Sequence, residues 1–344
     1  MKKICIVITS RSSLSKYLEI IKFFAKDKKV KVYIILSFSA VVREFGDLTN
    51  YVKINKIKII KLDNLSKNQT LINSIKATSI GLNFFSEIFS KVKPNLVILM
   101  ADRYEVISAA IAASYLNIKI AHLQGGELSG NIDGKVRHSI SNLSDYHFVC
   151  TKKAKMILNK KNILKNIYLT GCPSIDLMRK VKKKSKNHVS IIKNKMIVEK
   201  NFDYNNYLIL LNHSDTTDLK NIDKNFKELL KAVKLLNFSF IIFWPNSDPG
   251  TDEISKQIRI FREKTKTFKN AFVVNLHPED YFKVLQNSRG IIGNSSSGIR
   301  EAGFYGLPAI NLGNRQKNRE RDINVIDAKY DANLIVKRVK LKLK

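Results

Sequence analysis

The sequence predicts an α/β protein of two domains, each a parallel sheet with helices on both faces. Three observations carry this. Short apolar runs of strand length alternate with helix-period stretches along the whole chain. The alternation occurs twice, on either side of a strongly basic segment. Polar and small residues gather just after the apolar runs, beyond the carboxyl ends of strands, where such sheets bind ligands. The 344 residues suffice for two domains of ordinary size. These are placed at 1–178 and 188–344, joined by a basic hinge at 179–187.

In the first domain, KKICIVI at residues 2–8 suits a strand buried on both faces. Thr9-Ser10-Arg11-Ser12-Ser13 then leads into a helical pattern through Tyr17, Leu18, Ile21, Phe24 and Ala25. A strand-to-helix turn with serines and an arginine is a candidate anion site. A strand is expected at 31–36, a helix from about Ser39 and a strand at 57–62. A long helix over 69–90 stops before Lys93-Pro94. Residues 96–100 form the next strand, with Ala101-Asp102-Arg103 at its end. An alanine-rich helix around 109–113 and a strand at 118–122 lead to Gln124-Gly125-Gly126-Glu127. A helix follows, on which Asp133, Arg137 and His138 lie at about one-turn spacing; the plainest reading there is an Asp133–Arg137 ion pair. Strands at 146–150 and 167–170 flank a helix at 152–158, and Gly171–Asp176 closes the half.

The second half repeats the alternation. A strand at 207–211 ends in Asn212-His213-Ser214-Asp215-Thr216-Thr217-Asp218. His213, in a polar turn at a strand end, is a poor candidate for a core histidine. A helix at 219–236 and a strand at 239–243 lead to Trp244-Pro245-Asn246-Ser247-Asp248. A helix at 251–263, a strand at 271–274 and the segment 278–286 return the chain to residues 289–319, around which the rest is organised. There an apolar run ends at Ile291-Ile292. Gly293, Asn294, Ser295, Ser296, Ser297 and Gly298 follow, a helix is expected to open at Ile299, and Pro308-Ala309-Ile310 is a further strand. Serine amides at a helix opening suit a phosphate, Glu301 one turn later suits sugar hydroxyls, and Arg315 and Arg319 match phosphate oxygens. Two polar loops, near Arg11 and near Ser295, are expected to face each other across a cleft.

Composition limits the alternatives. Apolar residues make up 44% of the chain, which excludes compositional disorder. No apolar stretch approaches the roughly 20 residues of a membrane span, and the first apolar run is too short for a secretory signal. Cys5, Cys150 and Cys172 are odd in number and widely spaced, which argues for a reducing cytoplasm rather than a disulfide framework or zinc site. The net charge of +32 comes mostly from dispersed lysine. The densest block, Lys182–Lys186, lacks the interleaved aromatics of a base-stacking surface, so no nucleic-acid partner is expected.

Taken in order, ADRYE, HLQGGELSGNIDGKVRH, GCPSID, NHSDTTD, WPNSD and GNSSSGIREAGFYGLPAINLGNRQ resemble the hydrolysing UDP-N-acetylglucosamine 2-epimerases of sialic acid and nonulosonate biosynthesis. The resemblance covers about residues 3–327. It implies two Rossmann-like domains in the glycosyltransferase-B fold, with no cofactor or metal. It also implies that Ser295 and Ser296 bind the diphosphate, that Glu301 holds the ribose, and that Arg11, His213 and Arg315 contact UDP. Ser15, Arg103, His138, Asn246, Asn294 and Gly298 complete the expected substrate-binding set. The implied reaction eliminates UDP across C1 and C2, and water then adds back with inverted C2 stereochemistry. Asp102 and Asp133 match the family's catalytic acidic positions; Glu127, Gln124 and His213 complete that group.

Gln124 departs from the pattern, since several members carry glutamate there and an amide does not transfer protons as a carboxylate does. Glu127 is the nearest acidic substitute, and Gly134 stands where a second acidic residue is common. Little chain follows the last motif for the C-terminal helices of longer members. The expected activity is conversion of UDP-N-acetylglucosamine to N-acetylmannosamine and UDP, for a surface glycan such as capsule or lipooligosaccharide. The alternatives are the same chemistry on a nucleotide-linked 2,4-diacetamido-2,4,6-trideoxyhexose, and a catalytically impaired UDP-sugar binder. A cytoplasmic homo-oligomer, dimer or tetramer, with no membrane partner, completes the expectation.

Overall fold

The computed structural model describes residues 1–54, 56–63, 69–100, 103–183, 187–264 and 269–343. The chain divides into two compact units, Met1–Leu177 and Met178–Lys344.

The first unit holds β1 (Lys2–Ile8), α1 (Arg11–Lys26), β2 (Val30–Ser37), β3 (Lys58–Leu62), α2 (Leu71–Val92), β4 (Leu96–Met100), α3 (Ile107–Tyr115), β5 (Lys119–Leu123), α4 (Ile132–Leu143), β6 (Tyr146–Val149), α5 (Lys152–Lys160) and β7 (Ile167–Leu169). Its sheet runs β3-β2-β1-β4-β5-β6-β7, and every pairing is parallel. Cys5, Ile6 and Ile8 of β1 are wholly buried, as a central strand covered on both faces requires. Phe85 and Phe89 of α2 seal one face, each burial contributing about 2–3 kcal/mol. Lys93, in left-handed geometry ahead of Pro94, ends α2 and donates its amide to the Phe89 carbonyl.

The helix expected from Ser39 does not form. Two 3-10 turns, Phe38–Ala40 and Arg43–Phe45, occupy that stretch, and left-handed Gly46 closes the second. The Ala40 amide and the Ser39 hydroxyl both donate to the Thr9 carbonyl, at 3.2 and 3.0 Å. The segment thus spends its polar groups fastening the end of β1, which competes with helix formation.

Helix α6 (Pro173–Lys183) crosses the boundary between the units, so residues 179–183 of the basic stretch are helical. The second unit continues with α7 (His188–Lys195), β8 (Ile197–Val198), β9 (Tyr207–Leu211), α8 (Ile222–Leu236), β10 (Ser239–Phe243), α9 (Thr251–Lys264), β11 (Asn270–Val273), α10 (Pro278–Gln286), β12 (Ile291–Gly293), α11 (Glu301–Phe304), β13 (Ala309–Leu312), β14 (Val325–Ala328) and α12 (Ala332–Lys342). The sheet order is β14-β13-β12-β9-β10-β11-β8, parallel except for the short edge strand β8. Helix α12 follows β14, and its Ile335 and Val339 pack into the core that also holds Phe226 and Leu229 of α8.

The helix expected from Ile299 is shorter than its pattern suggests. A 3-10 turn at Ser296–Gly298 precedes a single helical turn at Glu301–Phe304. Gly303 and left-handed Gly306 stop it, and Pro308 turns the chain straight into β13. Among the described residues no helix is long and apolar enough to cross a membrane.

Each sheet reverses its winding at one place: between β1 and β4 in the first unit, and between β9 and β12 in the second. The crevices beyond these strand ends are the ligand-binding positions of the architecture.

Candidate active site

In the second unit the crevice is built by one residue, Asn294. Gly293 pairs with Leu211 of the neighbouring strand at φ +141, and a Cβ there would lie 2.1 Å from the Leu211 carbonyl oxygen. Only glycine lets β12 pass this closely. The next residue, Asn294, is buried and turns its amide onto the backbone of His213. Its Oδ1 accepts from the His213 N–H at 2.7 Å, and its Nδ2 donates to the His213 carbonyl at 2.8 Å. This clamp joins the loops after β9 and β12.

The Asn246 amide, after β10, donates to His213 Nδ1 at 3.2 Å. A nitrogen that accepts carries no proton, so the ring bears its hydrogen on Nε2 and is a donor there. Gln316 Nε2 and Arg315 Nη1 both donate to the Asn294 carbonyl, at 2.9 and 3.4 Å. Arg315 also lies 3.8 Å from the Asp248 carboxylate, while its buried Nε has no hydrogen-bond partner among the described residues. Arg319 holds the Gln316 side-chain oxygen at 2.9 Å.

The serine loop divides its labour. Ser295 is extended and accepts the Ser297 amide, which caps the 3-10 turn. Ser297 is buried and hydrogen-bonded to the Tyr281 hydroxyl, a structural contact. Ser295 and Ser296 remain half-buried, and the Ser295 hydroxyl proton is left to donate. Glu301 is buried, and among the described residues its Oε2 has no hydrogen-bond partner; the same is true of the Tyr305 hydroxyl. Burial, reinforced by the Glu301 charge, raises both the Tyr281 and Tyr305 hydroxyls above the usual phenol value. Unmet capacity of this kind costs about 1–3 kcal/mol per group until something supplies the bond. Hydroxyls of a ligand would do so.

In the first unit, the turn after β1 is tied by its own serines. Ser10 and Ser12 share a hydrogen bond at 2.8 Å, and Ser13 donates to the Ser10 carbonyl at 2.8 Å. Lys16 is buried, and its ammonium returns to the Ser12 carbonyl at 3.0 Å, bringing a second cation to the turn that carries half-buried Arg11. Ser15 is half-buried on the same helix.

Asp102 lies outside the described residues. Arg103 beside it is buried, with Nε 2.6 Å from Glu105 and its guanidinium over the Tyr104 ring. Burial raises Glu105 above the usual carboxylate range; Arg103 opposes this, and the charge of Asp133 adds to it. Gln124 adopts a left-handed φ of +61, and its side-chain amide donates to Cys172 Sγ at 3.1 Å. Glu127 is buried, and its carbonyl accepts from Arg137 at 3.1 Å; Ser129 accepts from the same nitrogen at 3.3 Å. Arg137 therefore fastens the 124–129 loop onto α4. Asp133, in the first turn of α4, is buried and accepts from Asn131 at 2.8 Å. His138 is half-buried; burial, then the charges of Lys161 and Arg137, lower it below the ordinary imidazole value. Gly134 packs so tightly that a Cβ would sit 2.9 Å from the Ser129 carbonyl.

The sequence model of the UDP-N-acetylglucosamine 2-epimerase family matches residues 22–344. The chain belongs to this family. It is 32% identical over 341 residues to the UDP-N,N'-diacetylbacillosamine 2-epimerase (hydrolyzing) of Legionella pneumophila, covering 96% of this chain and 87% of that protein. It is 32% identical over 335 residues to the GDP/UDP-N,N'-diacetylbacillosamine 2-epimerase (hydrolyzing) of Campylobacter jejuni, covering 96% and 85%. The crystal structure of Methanocaldococcus jannaschii UDP-GlcNAc 2-epimerase in complex with UDP-GlcNAc and UDP shares the fold at a TM-score of 0.80 and 19% identity, over 99% of this chain and 93% of that one. The two parallel-sheet units are those of the glycosyltransferase-B class.

Among the described residues the structure brings some of the expected residues into two clusters, while Arg11 and Ser15 lie apart at the turn after β1. His213, Asn246, Asn294 and Arg315 are joined by hydrogen bonds in one, with Ser295, Ser296, Gly298 and Glu301 next in sequence. Glu127, Asp133 and His138 lie with Arg137 at the start of α4 in the other, while Gln124 is bonded to Cys172. Arg103 is committed to Glu105 within its own unit. Sequence reading did not single out Lys16, Tyr281, Tyr305, Gln316 or Tyr330 as parts of the site. Tyr330, which donates to Asn212 at 2.9 Å, lies beyond the last motif. Tyr281 and Lys16 sit at ordinary core-facing helix positions, where nothing local marks them.

Proposed function

We propose that this epimerase is hydrolysing and acts on a UDP-linked 2-acetamido sugar, with UDP-N,N'-diacetylbacillosamine as the favoured substrate. The carrying observation is the crest at the β9/β12 crevice. Asn294 there holds the His213 backbone and the Asn246 N–H leaves Nε2 as the ring's donor, beside Arg315 and the half-buried serines and shortly before Glu301, whose Oε2 has no hydrogen-bond partner among the described residues. Donors and a cation suit a diphosphate, and a carboxylate suits the ribose hydroxyls. The two relatives at 32% identity support both the hydrolysing outcome and the diacetamido sugar.

In this reading a carboxylate removes the C2 proton while the C1–oxygen bond breaks and its electron pair leaves with UDP. The result is a C1–C2 double bond. Water then adds its hydroxyl to C1, and C2 receives a proton on the opposite face. The product is the free C2-epimeric sugar. His213, Arg315, Ser295 and Ser296 stabilise the departing diphosphate. Asp102 and Asp133 carry the proton transfers, and Glu127 takes the part that glutamate plays at position 124 in other members. Gln124, directed at Cys172, serves as a positioning amide. A second reading keeps these steps with UDP-N-acetylglucosamine, and the family's name supports it.

Incubation with each donor, followed by measurement of UDP release, tests the proposal. Release from the diacetamido donor at the higher kcat/KM is the expected result. UDP binding without release from either donor would replace the enzyme with a nucleotide-sugar binder.

A further inference from the structure

A cavity of about 370 Å³ opens at the carboxyl ends of β9 and β13, beside the Asn294–His213 clamp. That is within the range of about 300–1,000 Å³ typical of ligand pockets. His213 and Asn212 line it, so it borders the position proposed above for the diphosphate. Its chemistry is unlike that position. Among the described residues no lysine or arginine lines it, in a chain with 61 basic residues, and its charged groups are the carboxylates of Asp215 and Asp218. Such a lining repels phosphate and accepts neutral N–H or O–H donors.

The two carboxylates are not equivalent. Asp218 is occupied on both oxygens, by Asn221 at 2.6 Å and Asn225 at 3.2 Å. Asp215 accepts from the Thr217 amide and hydroxyl on Oδ1 alone, at 3.1 and 2.7 Å. Its second oxygen has no hydrogen bond among the described residues. Ile222, Phe226 and Ile254 supply the apolar part of the wall, and these belong to the main core of the unit. An acceptor without a donor, beside a rigid apolar surface, matches a group that has one N–H and one methyl.

We infer that this cavity receives the substituents on the far edge of the hexose, and that it selects an acetamido group at C4 and a methyl at C6. The inference rests on the proposed function: the hexose hangs from the diphosphate held by the clamp, and its C4–C6 edge reaches past His213. The acetamido N–H meets Asp215, and the methyls meet Ile254 and Phe226. A 4-hydroxyl with a 6-hydroxymethyl, as in UDP-N-acetylglucosamine, would leave the apolar wall against a polar group.

Two variants test this. Asn314→Trp places an indole at the exposed cavity mouth, and Asp215→Asn removes the charge with little change of shape. Kinetics are measured with the diacetamido-trideoxyhexose and N-acetylglucosamine donors, and calorimetry with both donors and UDP. Each variant is expected to lower kcat/KM for the diacetamido donor about tenfold or more, and for the other donor about threefold or less. UDP affinity should stay within about twofold. Equal losses on both donors, or no loss on either, would overturn the inference. Should Asn314→Trp fail to fold, Asp215→Asn decides. If the native enzyme releases UDP from neither donor, the proposed function fails, yet donor binding still reads the cavity. The diacetamido donor must then bind more tightly than UDP-N-acetylglucosamine, and the variants must erase that advantage; its absence in the native protein overturns the inference.

Discussion

Asn294 ties the loops after β9 and β12 together. Its amide satisfies both the N–H and the carbonyl of His213, at 2.7 and 2.8 Å, in a buried position. Asn294→Ala removes the 2.7 Å acceptor of the His213 N–H and leaves its carbonyl the longer 3.5 Å bond from Asn212 Nδ2, at about 1–3 kcal/mol for each bond lost. Partial entry of water into the vacated space offsets some of this, so about 2–4 kcal/mol is expected for the pair. Asn294→Asp is the sharper comparison. It keeps an acceptor for the His213 N–H but turns a second carboxylate oxygen toward the His213 carbonyl. It should therefore cost as much as alanine although it is nearly isosteric. Urea unfolding followed by circular dichroism reads the stability, and UDP titration calorimetry reads the site. Both variants should lower the unfolding midpoint at unchanged slope and weaken UDP at least about tenfold, because His213 is no longer held. An aspartate variant as stable and as tight-binding as the native protein would refute the clamp.

Four further outcomes are expected. Gly293→Ala should destabilise the protein by more than about 3 kcal/mol in the same unfolding assay, since a Cβ would meet the Leu211 carbonyl at 2.1 Å in a left-handed backbone. Glu301→Gln should weaken UDP by about 1–2 kcal/mol in calorimetry while leaving the thermal midpoint unchanged or raised, because it neutralises a buried, unsatisfied carboxylate oxygen. Asp133→Asn and Asp102→Asn should each reduce turnover about a hundredfold or more with UDP affinity retained, measured by UDP release and calorimetry. Burial lowers His122, His138 and His147 below the ordinary imidazole value, so the fold prefers them neutral. Below about pH 6.5 the unfolded chain takes protons that the folded chain refuses. The melting temperature should thus hold above that value and decline as pH falls beneath it, and His147→Asn should make the decline shallower.

The architecture was legible because β-strands buried on both faces must be apolar throughout, while the helices covering them must carry an apolar stripe. Strands β1, β4, β9 and β10 stand out for that reason. Helices α6, α7 and α12 and strand β14 were not legible, since their basic or half-exposed residues form no continuous apolar run. The two-residue edge strand β8 has no pattern of its own. The stretch after Ser39 has helix-compatible composition, but its hydroxyl and amide are drawn to the Thr9 carbonyl, a tertiary competitor that sequence periodicity does not report. The site divides in the same way. Asn294 and His213 each lie in a conspicuous loop, so their candidacy was legible; their reciprocal bonds, across 81 residues of chain, follow from the parallel pairing of β9 with β12. The same holds for Gln124, whose departure from glutamate is plain in the sequence while its contact with Cys172, 48 residues on, is not. Glu301 was assigned to a helix that the chain builds as a single turn, because Gly303 and Gly306 truncate it.

The central claim is that UDP leaves by elimination across C1 and C2 and that water completes the reaction. Proton nuclear magnetic resonance of the reaction with the diacetamido donor in deuterium oxide tests it most directly. Equimolar UDP and a free 2,4-diacetamido-2,4,6-trideoxy sugar of inverted C2 configuration, with deuterium at C2, are the expected products. An epimerised sugar still joined to UDP, or a free sugar that keeps its C2 hydrogen and configuration, would contradict it.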